Sequence, residues 1–175
     1  MPKPIVKKGK GRAPAPAHGK EEEAPSKAGT LKGSIVVPEN VGGDLRLLPA
    51  GNAKATLEKI MLGKSKSSGQ AKATFRYTIT EEMDSNPEDA PSTVGEAVLE
   101  TYSLQPQAMF RLNDVYKAVT GERVPQGEWS PEEFEAKLNE DLCGTEWNLV
   151  LANQVPSDGS STEERTTIIA KTLAS

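Results

Sequence analysis

Between positions 54 and 76 the chain places Lys54, Lys59, Lys64, Lys66, Lys72 and Arg76, opposed only by Glu58. Cations at this density do one kind of chemistry, which is to hold anions. Lys64 and Lys66 lie in Gly63-Lys64-Ser65-Lys66-Ser67-Ser68-Gly69, a flexible polar loop whose Ser and Gly backbone amides can approach a phosphate. Over residues 70–80, Ala71, Ala73, Phe75, Tyr77 and Ile79 alternate with Lys72, Thr74, Arg76, Thr78 and Thr80. That period of two predicts a strand with one buried and one wet face, Lys72 and Arg76 on the wet one. A row of cations beside a basic loop suits the phosphates of a single-stranded nucleic acid, whose bases stack on exposed rings. Tyr102 and Trp129 are the candidates for stacking, whereas Phe75 and Tyr77 belong to the core. A second reading fits these residues equally well: the lysines solubilise a two-sided hairpin.

Other chemistries find no support. His18 is the single histidine and lies in the N-terminal tail, so no Ser-His or Cys-His pair forms inside the domain. Cys143, the single cysteine, sits beside Gly144 and reads as a small packing residue. No Cys/His cluster can hold zinc. Gly63-Lys64-Ser65 resembles the end of a phosphate-binding P-loop, but Glu58 stands where the leading glycine belongs, and the segment joins two strands. Glu81, Glu82, Asp84, Glu88 and Asp89 lack EF-hand spacing and are broken by Pro87, so they read as a solvated loop. The expectation is a non-enzyme without catalytic residues, metal or cofactor.

The elements that must position the cations follow from patterning. Residues 54–62 predict a strand, 63–69 a hairpin loop and 70–80 the second strand. An acidic, proline-containing loop spans 81–95, and 96–104 predicts a third strand. Pro106 opens a helical stripe of Ala108, Met109, Leu112, Val115, Tyr116 and Val119, which Gly121 closes. Ser130-Pro131-Glu132-Glu133 is a capping box opening a second helix, with Phe134, Leu138 and Leu142 inward. Its acids Glu132, Glu133, Glu135, Glu140 and Asp141 favour its start electrostatically or form a solvent face. Residues 145–155 and 165–173 predict the last two strands, and 31–37 a short lead-in. Five strands with a helical insert between the third and fourth give a mainly β, OB-fold-like barrel over residues 33–175.

Residues 1–32 carry eight Lys/Arg against three Glu and are rich in Pro, Ala and Lys; the remainder carries 13 against 22 Asp/Glu. The first segment has too little apolar surface to offset its ordering entropy and is expected to be a disordered tail. A phosphate-binding arm and a solubilising extension are equally good accounts of it. No apolar stretch follows the basic start, and none is long enough to span a bilayer, so neither a signal peptide nor a membrane segment is expected. One cysteine precludes an intrachain disulfide and fits a reducing compartment.

Residues 47–80 carry a family resemblance. Leu48-Pro49-Ala50-Gly51, Ala55-Thr56-Leu57, Lys64-Ser65-Lys66-Ser67-Ser68-Gly69 and Phe75-Arg76-Tyr77 resemble a group of small bacteriophage proteins of unknown function, encoded beside replication and recombination genes. Leu104 to Gly121 resembles their central helix, and Leu142-Cys143-Gly144-Thr145-Glu146-Trp147 their entry to the next strand. Thr145 replaces a basic residue of that pattern, and the final strand lacks its aromatic. The resemblance implies an OB-like, single-stranded-DNA-binding protein of a phage replication or recombination module, in the cytoplasm of the bacterial host. Lys64, Lys66, Lys72 and Arg76 would face the ligand on that pattern; the residue-level reading adds Lys59 and Tyr102. Phage or host replication and recombination proteins are the expected protein partners. Lys171-Thr172-Leu173-Ala174-Ser175 offers no acidic tip for recruiting them, so the tail or the 81–95 loop would have to do so. The alternative is a protein-interaction module, a virion component or an inhibitor of a host enzyme, with no nucleic-acid role.

Overall fold

The computed structural model describes residues 45–156 and 162–174; the expected tail over 1–32 and lead-in over 31–37 lie outside the described residues. Five strands make one antiparallel sheet: β1 (Gly51–Lys64), β2 (Ala71–Ile79), β3 (Ala97–Ser103), β4 (Glu146–Gln154) and β5 (Arg165–Leu173), in the order β3-β2-β1-β4-β5. Between β3 and β4 a 3-10 turn at Pro106–Ala108 leads into α1 (Met109–Thr120), and α2 (Pro131–Leu142) follows. The mainly β expectation and the helical insert after the third strand hold.

The alternation in β2 does what its pattern dictates: Ala73, Phe75, Tyr77 and Ile79 are all buried. β1 is longer than its pattern suggested because two irregularities hide its ends and middle. Its first residue, Gly51, has φ 147°, and a Cβ there would come within 2.6 Å of Ser85 Oγ, so the strand begins where the 81–95 loop presses on it. At Glu58 the register with β2 slips, from Leu57 opposite Tyr77 to Lys59 opposite Arg76. This bulge keeps Ala53, Ala55 and Leu57 before it, and Ile60 and Leu62 after it, buried on one side.

α2 is set by its sequence start. The Ser130 side chain accepts from the Glu133 amide, Glu133 reaches back to the Ser130 amide, and Pro131 occupies the first turn. Phe134, Leu138 and Leu142 then face the core. The opposite side of α2 is not simply solvated, as its acids suggested. Beyond Thr56 the edge of β1 runs past the end of β4, and α2 with its exit loop covers it. Leu57 N donates to Thr145 O (2.9 Å) and Gly144 N to Leu57 O (2.8 Å). The Asn139 side chain then imitates a strand: its Oδ1 accepts from Ile60 N (2.9 Å) and its Nδ2 donates to Ile60 O (2.8 Å). Glu135 accepts from Leu62 N at 2.7 Å. Asp141 accepts from Lys137 Nζ (2.7 Å) and the Tyr116 hydroxyl, tying α2 to α1. An edge that would otherwise recruit another chain is thereby satisfied.

The sheet does not close. β3 is paired with β2 and β5 with β4, with no ladder between β3 and β5, so the expected barrel lacks one seam of main-chain bonds. Side chains cross that seam instead. Lys171 on β5 and Glu100 on β3 both point inward and form an ion pair, their side chains only 12% and 24% exposed. Lys171 Nζ also donates to the Tyr102 hydroxyl and, at 2.9 Å, to that of Tyr77. Four rings surround the ammonium, their centroids at 4.9 Å (Tyr102), 5.2 Å (Trp147), 5.3 Å (Tyr77) and 5.9 Å (Phe75). Each ring face adds cation–π attraction to the pair. Burial still dominates and lowers the pKa of Lys171, with the Glu100 charge opposing the shift. The Tyr77 and Tyr102 phenols are pushed up, by burial first and by Glu100 second.

Removing one member of such a pair strands the other charge, whereas replacing both with apolar groups does not. Glu100→Ala is expected to cost about 3 kcal/mol in urea unfolding, with Glu100→Leu/Lys171→Met within about 1 kcal/mol of wild type. A single variant as stable as wild type would show that the seam does not rest on this pair.

Candidate nucleic-acid interface

The inward register of β1 and β2 fixes what faces outward. Three cross-strand rows cover the outer face of β1, β2 and β3: Lys59–Arg76–Leu99, Met61–Thr74–Thr101 and Gly63–Lys72–Ser103. Lys64 follows Gly63 and is exposed, as is Lys66 in the turn. Lys59, Lys72 and Arg76 therefore share the outer face, whereas Lys64, opposite Ala71, ends β1 on the inward register and lies exposed with Lys66 at the adjoining turn.

Their charges are not equally available. Among the described residues Lys59, Lys64, Lys66 and Lys72 form no salt bridge, whereas Arg76 Nε is paired with Glu58 at 3.1 Å. Glu58 also accepts from Thr78 Oγ1 at 2.6 Å. That bond first, and Arg76 second, hold its carboxyl below the usual range. The bulge that repairs the register of β1 thus delivers a carboxylate onto the basic face. Lys54, the first cation of the sequence cluster, is paired with Glu81 at 2.8 Å and is lost to the face.

The 63–69 loop is better organised than its Ser/Gly composition suggested. Ser65 N donates to Gln70 O and Gly69 N to Ser65 O, both at 2.8 Å, closing the hairpin. Ser65 Oγ meets Ser67 Oγ at 3.1 Å, and Gly69 takes the left-handed φ of 67° that the turn requires. Lys64 and Lys66 are displayed from this hydrogen-bonded turn.

Tyr102 is a correction. It is 5% exposed, its ring lies 4.8 Å from that of Phe75, and its hydroxyl serves Lys171, so it stacks no base. The alternation of β3 turns Val98, Glu100 and Tyr102 inward and leaves Leu99 and Thr101 outside. Trp129 is half-buried and packs on Phe134, centroids 6.3 Å apart. Thr74, expected on the wet face, is 3% exposed beneath its neighbours. The half-buried side chains of Met61 and Leu99 supply the apolar part of the face. Cross-strand register brings them there; it needed the bulge at Glu58, which a plain alternation does not reveal.

The acidic loop contributes elsewhere. Glu82 is consumed internally: it accepts from Ser92 Oγ (2.6 Å), Thr93 Oγ1 (2.7 Å), Asn86 Nδ2 (2.8 Å) and Thr93 N (3.0 Å). Among the described residues no three His, Cys, Asp or Glu side chains gather as a metal site. No helix among them is long and apolar enough to cross a membrane.

No protein-family model matches this chain, and no curated protein matches it.

The donors around Glu82, Ser92 first, lower its pKa to about 2. A depressed carboxylate contributes order above its unfolded value, about 4.3, that is lost as pH falls through the folded one. Amide hydrogen exchange at Thr93 is expected to stay slow at pH 5, to accelerate as pH approaches 2 relative to the intrinsic rate, and to be fast already at pH 5 in Glu82→Gln. Unchanged protection in that variant would mean that the carboxylate does not staple the loop.

Proposed function

We propose that this protein binds single-stranded DNA without catalysis, through the outer face of β1, β2 and β3 and the basic β1–β2 turn. The observation that carries the reading is the gathering of four lysines with no carboxylate partner among the described residues, Lys59, Lys64, Lys66 and Lys72, on an otherwise acidic body. Anionic polymers are attracted to such a face and repelled by the rest of the surface. Met61 and Leu99 lie among the cations, and apolar contact of this kind is available only to unpaired bases.

The strand order and the helices between β3 and β4 match the plan of an OB-fold, whose second and third strands and first hairpin loop bind oligonucleotides. In this reading the β3–β5 seam is the side-chain-closed edge of an OB-like barrel. Together with the resemblance of residues 47–80 to small phage proteins, this supports a role in phage DNA replication or recombination in the bacterial cytoplasm. Phage or host proteins of those processes are the partners such a role brings.

Phosphate contacts make affinity fall steeply with salt. Fluorescence anisotropy with a labelled mixed-sequence oligonucleotide and its duplex is expected to show salt-sensitive binding that prefers the single strand. Lys64→Glu/Lys66→Glu should weaken it by on the order of a hundredfold and flatten the salt slope by about two. Binding that ignores both salt and charge reversal would rule the reading out, and pull-down from host lysate would then test the protein-interaction alternative.

Glu58→Gln frees Arg76 and removes a repulsive carboxylate from the face. It is expected to tighten binding by about threefold, with the salt slope rising. Weaker binding in this variant would place the ligand elsewhere.

A further inference from the structure

Of the aromatic residues in this chain, all but one are turned into the fold. Phe75, Tyr77, Tyr102, Tyr116, Phe134 and Trp147 are buried, and Trp129 is half-buried. Phe110, in the first turn of α1, is 61% exposed, the most exposed large apolar side chain among the described residues. The helical period puts it there. Leu112, Val115 and Tyr116 form the buried stripe of α1. At about 100° per residue, Phe110 stands about 200° from Leu112, on the face turned away from the core. A phenyl ring held out in water from a helix presents a π face to any flat ligand.

We infer that Phe110 is a stacking platform for one unpaired base of the bound strand, set just past the end of β3. The inference rests on the function proposed above and adds to it a contact that the outer face of the sheet lacks. β3 ends at Ser103, in the row with Lys72. Leu104 N then donates to Ala71 O at 3.0 Å, and Gln105 O accepts from Ala108 N (2.9 Å) and Met109 N (3.1 Å), so the chain winds into α1 directly from the sheet. Two extended residues and one helical turn keep Phe110 within about 17 Å of Ser103. A strand covering the roughly 4–16 nucleotides that one OB fold holds can reach from the lysines to the ring. The charge around Phe110 favours a polyanion. Arg111, next in the chain, is exposed and forms no salt bridge among the described residues, and the same holds for Lys117 two turns on. Asp114 between them is the one carboxylate of α1. Behind burial and Glu100, the Arg111 charge also reaches Tyr102 and Lys171, which sets the start of α1 beside β3 and the seam. A base lying on Phe110 therefore brings its phosphate within reach of a guanidinium suited to hold it.

The test compares wild type, Phe110→Ala and Phe110→Trp in the full chain. Anisotropy is read with a fluorescein-labelled dT oligonucleotide and with an abasic oligonucleotide of the same length, beside thermal unfolding. The melting temperature is expected to hold, since most of the ring is in water. Affinity for dT should fall by about tenfold in Phe110→Ala and hold or rise in Phe110→Trp. All three proteins should bind the abasic strand equally, because it has no base to stack. The salt slope should stay near that of wild type, because no phosphate-neutralising group is removed. Wild-type binding of dT with an undiminished Ala variant, or an equal loss on both oligonucleotides, overturns this inference alone. Absence of wild-type binding overturns the proposed function and the inference with it. An Ala variant that unfolds early transfers the test to Phe110→Leu, apolar but without a ring face, where undiminished affinity for dT is the contradicting result.

Discussion

An ion pair inside an aromatic box holds the two ends of this sheet together. Lys171 and Glu100 come from the outermost strands, β5 and β3, which share no main-chain ladder. The rings around Lys171 come from β2, β3 and β4: Phe75 and Tyr77, Tyr102, and Trp147. β1, at the centre of the sheet, makes room with small residues. Ala55 lies opposite Trp147, and Ala53 opposite Leu149; on β2, Ala73 lies opposite Tyr102. Large side chains facing small ones let the layers interdigitate without voids. Every strand of the sheet therefore either supplies a wall of the box or makes room for one. Because Phe75, Tyr77, Tyr102 and Trp147 are spent inward, the outer face of β1, β2 and β3 is left to Lys59, Lys72 and Arg76, to hydroxyl side chains, and to Met61 and Leu99.

The same geometry sets the balance of forces at that face. With Tyr102 buried and Trp129 packed on Phe134, neither ring that the sequence suggests for stacking is offered to a base there. On the proposed function, affinity then comes chiefly from phosphate contacts, with Met61 and Leu99 adding apolar area. Such a surface holds many sequences about equally, which suits coating of exposed strands better than recognition of one site. Glu58 tempers it. Its carboxylate arrives with the bulge that keeps Ile60 and Leu62 buried, so a requirement of the core imposes a negative charge on the proposed binding face.

Much of this was legible in the sequence because period and caps are local signals. The alternation from Ala71 to Ile79, the capping box at Ser130 and the closing glycine at Gly121 each declare an element within a few residues. The lysine cluster was legible for the same reason. What escaped depends on register and on partners far along the chain. The change from Leu57 to Ile60 inward is a three-residue step that marks a bulge only once the partner strand is known. Lys171 reads as a surface residue because lysine is rarely buried without a partner, and Glu100 lies 71 residues earlier. Tyr102 reads as a ring free for stacking because its hydroxyl partner lies 69 residues away. Asn139 shows no sign in sequence that its amide completes a strand edge 79 residues earlier.

Backbone amide NMR shift mapping during titration with an unlabelled dT oligonucleotide tests the central claim most directly. The account predicts the largest perturbations at Lys59, Met61 and Gly63, through the 64–70 turn, and at Lys72 and Thr101. It predicts little change at Asn148, Ala170 and Thr172, on the outer side of β4 and β5. Perturbations centred on those β4 and β5 residues, or none at any residue, would contradict it.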